Sequence, residues 1–200
     1  MRKKSHISLA RDIVHNSDDA LLKRHRWAFY LGSILPDIQP SFLYKKHEFG
    51  GTFEQVRRKI ALLSGETEEE GRQKTKYYRN LGQITHYIAD YFTFPHNKIY
   101  PGTLKDHCTY EGELKDRLLE YLKTHAEDRS HWKEMEFVDS DAICDFVKKS
   151  HEAYLKKKIN VDEDIKHIVS LNHQVVEGIK HLAEKRRVMH LMNRDARHTV

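Results

Sequence analysis

Apolar residues recur along this chain at helical spacing, with no alternating strand pattern and no Asn-Gly hairpin signal. Ile7, Leu9, Ile13 and Val14 predict a short first helix. Ser17 and Asp18 are placed to cap a second helix, through Leu21, Leu22, Trp27, Tyr30 and Leu31, which must end before Pro36. Residues 36–50 carry two prolines and the first glycine of a pair, so they read as a loop. Thr52 starts a third helix through Val56, Ile60 and Leu63, and an acidic run around Glu66–Glu70 makes a polar turn. A long fourth helix follows through Tyr77, Leu81, Ile84, Ile88 and Phe92, stopped by Pro95. The fifth covers about Cys108 to His125, with Leu114, Leu118, Leu119 and Leu122 as its stripe. Asp139 and Ser140 cap a sixth, and the last runs from Val161 towards Met189. Without a repeat or a dividing linker, the pattern predicts one all-α domain over residues 1–200, a bundle of about seven helices.

Composition narrows the class. Apolar residues are 38% and charged residues 32%, polar for a globular protein but far from a disordered composition. The net charge of +5 suits a mildly anion-attracting surface, as readily for a phosphate-bearing substrate as for nucleic acid. Two cysteines, Cys108 and Cys144, exclude a disulfide framework and a thiolate zinc site. Cys108 reads as a small buried residue, and Trp27 and Trp132 as packing residues. The basic start has no apolar run behind it and nothing approaches a membrane span, so a cytoplasmic protein is expected.

The 15 histidines change the picture. His86 and Asp90 are four apart and share one helix face, and His96 follows Pro95 directly, swung off the helical track. His107 and Glu111 repeat the four-residue spacing on the next helix. Each pair alone reads as readily as a solvated ion pair, but three ordered motif pieces within about two dozen residues do not. Upstream, Asp37 lies just past a helix end and His47 falls in the same loop, where polar groups tend to be functional. His6 stands at the start of the first helix, with a frayed, solvated position as the equal alternative. Imidazoles and carboxylates together suit zinc. The remaining ten histidines show no ligand spacing and are expected on the surface.

The order His6, Asp37, His47, His86-x3-Asp90-x5-His96, His107-x3-Glu111 resembles the bacterial zinc-dependent phospholipase C family, whose all-helical fold also embraces the S1/P1 nucleases. The similarity spans about residues 6–111, and a Glu at position 111 looks more like the phospholipase branch. The resemblance implies two to three zinc ions (Zn²⁺) per chain. Asp37, His47, His86 and Asp90 would hold one, Asp90 would bridge to a second at His6, and His96, His107 and Glu111 would hold a third. Secreted members complete the His6 site with an N-terminal tryptophan; this chain starts Met1-Arg2-Lys3, so that metal is expected to be weak, absent or differently ligated. The implied activity is phosphoester hydrolysis by metal-activated water, with Asp37 the catalytic group that orients or deprotonates the water. The substrate would be a phosphate-ester small molecule or a phospholipid headgroup, ahead of nucleic acid. Phe42, Tyr44 and Phe49 would line a pocket or, with the greater weight, anchor the loop. The rivals are a nuclease of the same fold, a non-catalytic metal-binding protein, and an HD-type phosphohydrolase whose His-Asp dipeptide is missing here.

Overall fold

The computed structural model describes residues 1–39, 48–65, 74–125, 135–157 and 159–198. Among these there is no strand. There are eight α-helices: α1 (Lys3–Asn16), α2 (Ala20–Arg24), α3 (Arg26–Ile34), α4 (Phe49–Leu63), α5 (Lys74–Tyr91), α6 (Leu104–Thr124), α7 (Ser140–Tyr154) and α8 (Val161–His198). Among the described residues two 3₁₀ turns, Leu35–Asp37 and Phe94–His96, interrupt them. The architecture is all-α, as the periodicity predicts. The second predicted helix is divided, because His25 leaves helical dihedrals and stacks on Tyr78. Its cap is Asp19, whose Oδ1 accepts from the Leu21 amide at 2.7 Å, rather than Ser17 or Asp18. Asp139 caps α7 as expected, accepting from Ala142 N at 2.7 Å.

The centre of the bundle is α5. It packs against α1, α3, α4 and α8 and against both 3₁₀ turns. Consequently it has no solvated face from Leu81 to Tyr91 apart from half-buried Gln83, and His86 and Asp90 are as buried as Leu81, Ile84 and Ile88. The alternative of a solvated His86–Asp90 pair is therefore excluded. Around α5, Leu9 and Ile13 of α1, Phe29 of α3, Val56 and Ile60 of α4, Leu118 of α6, Val147 of α7 and Ile168 of α8 join one apolar cluster.

Two glycines set the closest helix crossing. A Cβ on Gly32 would fall 2.0 Å from the Arg79 carbonyl oxygen, and one on Gly82 would fall 2.1 Å from that of Phe29. Only hydrogen fits at both positions, so α3 and α5 meet backbone to backbone. The end of α5 is equally specific. Continuing the helix would drive the Pro95 ring into the Tyr91 carbonyl. That carbonyl and the one of Thr93 instead accept from Asn97 Nδ2, both at 3.1 Å.

Several side chains depart from expectation. Trp27 is 67% exposed, lying edge-on to Tyr30 under the Arg26 guanidinium. Cys108 is exposed. His151 and His173 are buried, bonded to Asn97 Oδ1 and Asp12 Oδ2 at 2.9 and 2.8 Å. Phe49 packs between Phe53, Tyr91 and His151, which is the anchoring role. Phe42, Tyr44, His47, Trp132 and the acidic run at 66–70 lie outside the described residues. No described helix is long and apolar enough to cross a membrane.

Candidate metal centre

Four segments converge on one end of α5. From α1 comes His6, and from the 3₁₀ turn after α3 comes Asp37. Consecutive turns of α5 present His86 and Asp90. The Phe94–His96 turn supplies His96, and the first turns of α6 supply His107 and Glu111. That α6 start is fixed by a reciprocal cap, in which Thr103 Oγ1 accepts from Asp106 N and Asp106 Oδ2 accepts from Thr103 N. The helix thus begins four residues before the predicted Cys108, which gives His107 a defined helical position.

Among the described residues the potential metal ligands form two groups, His6/His86/Asp90 and His96/His107/Glu111, each with its donor atoms within 4.8 Å of one another. Asp37 borders the first, with Oδ1 3.6 Å from His86 Nε2. Asp90 uses both oxygens. Oδ1 lies 3.4 Å from His6 Nε2, and Oδ2 lies 3.2 Å from His86 Nε2 and 3.7 Å from His96 Nδ1. Glu111 Oε1 stands 3.1 Å from Nε2 of both His96 and His107.

The Met1 amino nitrogen sits between the groups. It is 2.7 Å from Asp90 Oδ1, 3.0 Å from Glu111 Oε1 and 2.7 Å from His96 Nε2. Burial alone would discharge it, but the two carboxylates outweigh that and raise its pKa. As a protonated group paired with both carboxylates it fills the space beside His6, and it would offer a lone pair there only on losing that proton.

His86 is oriented from behind. Its Nδ1 lies 2.8 Å from the Ser33 carbonyl oxygen and donates to it, which turns Nε2 towards Asp37 and Asp90. The Gly32–Gly82 crossing brings that carbonyl close enough. His6 stacks on His86 with ring centroids 4.0 Å apart, and neither of its ring nitrogens has a hydrogen-bond partner among the described residues. Burial, with His86 beside it, pushes the His6 pKa down to about 3, so the ring is neutral and able to give a lone pair. Asp90 is held well below the usual carboxylate range. Burial opposes its ionisation, but His96, the Met1 amino group, His86 and His6 more than offset this. Glu111 is lowered likewise, burial being overcome by the hydrogen bond from His96 and by the Met1 amino group.

Such a set fits zinc. Each buried polar atom left unpaired costs about 1–3 kcal/mol, and the fold keeps a neutral imidazole at 1% exposure whose Nδ1 has no described partner and whose Nε2 faces the Asp90 carboxylate only at 3.4 Å. Nitrogen and oxygen donors without thiolate are zinc chemistry. Of the eight residues singled out in the sequence, the structure brings seven together; His47 lies outside the described residues. Sequence reasoning missed the Met1 nitrogen and the Ser33 carbonyl. Main-chain atoms carry no residue signal, although a glycine inside each of two helical patterns does flag a close backbone approach.

A family model described as zinc dependent phospholipase C matches residues 5–161 of the chain. Comparison with curated proteins and with solved structures gave no match.

Proposed function

Because the chain belongs to the zinc-dependent phospholipase C family, we propose that it is a zinc-dependent hydrolase of phosphoester bonds in phospholipid headgroups or kindred small molecules. The supporting observation is the convergence of His6, Asp37, His86, Asp90, His96, His107 and Glu111 from separate elements on one point of the bundle. Zinc would be held by Asp37, His86 and Asp90, by His6 with Asp90, and by His96, His107 and Glu111. Zinc so bound supplies Lewis acidity towards phosphoryl oxygens and lowers the pKa of water.

The chain's own groups divide the remaining work. Asp90, with both oxygens engaged and at 1% side-chain exposure, fixes the spacing of the centre. Asp37 is the carboxylate beside this buried group that solvent reaches, at 12% exposure. It orients the attacking water and accepts its proton as the water oxygen bonds to phosphorus and the ester phosphorus–oxygen bond breaks; the alkoxide released is protonated by bulk water. His107 and Glu111, at 28% and 15%, form the open side by which an anionic headgroup approaches. We also propose that residues 1–200 act as one domain, since the buried apolar side chains of α1 to α8 make one cluster.

The test is metal analysis paired with turnover of phosphatidylcholine, nitrophenyl phosphoesters and single-stranded nucleic acid. Asp37→Asn should abolish turnover while most zinc stays bound; loss of the zinc instead would make Asp37 only a ligand. Two or three zinc ions without turnover on any substrate would sink the enzyme reading.

A further inference from the structure

The His96/His107/Glu111 trio is assembled from two pieces of chain, a 3₁₀ turn and a helix start, which meet through the Phe94 and Tyr110 rings and the His96–Glu111 contact. A further tie comes from elsewhere. Asp164, in the first turn of α8, is 0% exposed and lies beyond the residues the family model matches. Its Oδ2 accepts from the Phe94 amide at 2.8 Å and from the Tyr110 hydroxyl at 2.9 Å. Its Oδ1 accepts from the Tyr154 hydroxyl at 2.7 Å. Phe94 stands two residues before His96, and Tyr110 directly before Glu111. One carboxylate oxygen thus joins the two ligand-carrying segments without touching a ligand.

We propose that Asp164 is the positioning residue of the outer trio, setting the His96 turn against the His107–Glu111 helix at the separation a metal ion requires. The inference rests on the zinc reading of that trio. A carboxylate kept fully buried costs several kcal/mol unless its partners compensate. A plain core site would be filled more cheaply by an apolar side chain. Three donors from α7, α6 and the 3₁₀ turn offset part of that cost, burial still raising the Asp164 pKa to about 7, and they are the side chain's hydrogen-bond partners among the described residues. Metal-site supports of this kind alter affinity by about 10–100-fold when removed.

The experiment is zinc affinity by chelator competition, with the absorption spectrum of the cobalt-loaded protein and the melting curve recorded in parallel. Asp164→Ala should weaken the more labile zinc by about 10–100-fold and leave the tighter one unchanged. Asp164→Asn should restore most of the loss, because its amide oxygen can still take both the Phe94 N–H and the Tyr110 hydroxyl. Tyr154→Phe removes only the Oδ1 partner and should keep zinc affinity while lowering the melting point. In a His107→Ala background, Asp164→Ala should weaken zinc no further. Unchanged zinc affinity in Asp164→Ala, or an equal loss in Tyr154→Phe, overturns the proposal. Should Asp164→Ala not fold, Tyr110→Phe breaks one tie alone, and an unchanged labile zinc there overturns it too. A wild-type chain that takes up no zinc overturns the metal reading itself, and this inference with it.

Discussion

The two ligand groups are a few ångströms apart, yet they are built in opposite ways. His6, His86 and Asp90 sit at 0–1% exposure on helices α1 and α5, locked into the apolar cluster and aimed by the Ser33 carbonyl. His96, His107 and Glu111 are half-buried, carried by a short turn and a helix terminus that depend on ties to Asn97 and Asp164. The inner group inherits its geometry from core packing, and the outer one from hydrogen bonds between non-adjacent segments. Core packing is rigid and cooperative, whereas terminal turns open locally at lower free energy. The inner group should therefore behave as part of the fold and the outer one as a separable attachment.

The largest effect should come from attacking the inner scaffold. Gly82→Ala places a methyl group against the Phe29 carbonyl, and neither backbone can give way. Overpacking of this kind costs about 3 kcal/mol, read as a drop in the urea midpoint, and zinc at His86 should weaken with it. A midpoint unchanged within error would show the crossing to be looser than described.

The next effect concerns order of release. Zinc leaving to a chelator should do so in two phases differing by roughly tenfold or more in rate, since only the slow one needs helix opening. The fast phase should vanish in His107→Ala and the slow one in His86→Ala. A single phase in the wild-type chain would erase the distinction between the groups.

The smallest is a pH effect on the outer side. Burial lowers the pKa of His151 from 6.5 to about 4, so the folded state holds it neutral against Asn97. A depressed histidine stabilises the fold fully above pH 6.5, and that contribution fades as pH falls towards 4, because the unfolded chain takes up the proton first. Melting curves with chelator present should show the wild-type advantage over His151→Gln shrinking across that window. A constant difference would mean that His151 is not held neutral.

The sequence disclosed the motif residues and most helix centres because both are periodic. A four-residue interval places His86 with Asp90 and His107 with Glu111 on shared faces whatever surrounds them, and the Pro95 stop puts His96 off the helix axis. What it concealed was set by tertiary neighbours. The polar stripe of α5 looks like a solvent face until α1 and α3 are laid over it, which is why the burial of His6 was open. His151 and His173 carry no spacing signal, yet each is buried with a partner more than fifty residues away in the chain. Trp27 is hydrophobic in type but lies on the outside of α3, where no described element covers it. Asp164 stands among Asp162 and Glu163 as one more acidic residue of a helix start. Its three donors, two of them more than fifty residues away in the chain, arise only from the packing of α6, α7 and the His96 turn.

The hydrogen-only seam between α3 and α5 leaves these helices no cushion of side chains to slide upon. Lateral displacement there lifts the Ser33 carbonyl away from His86, so the imidazole loses its aim at the moment the rods part. Heat resistance of the protein and the hold of its inner group on any metal ion are in this sense a single property, written into two positions that have no side chain at all.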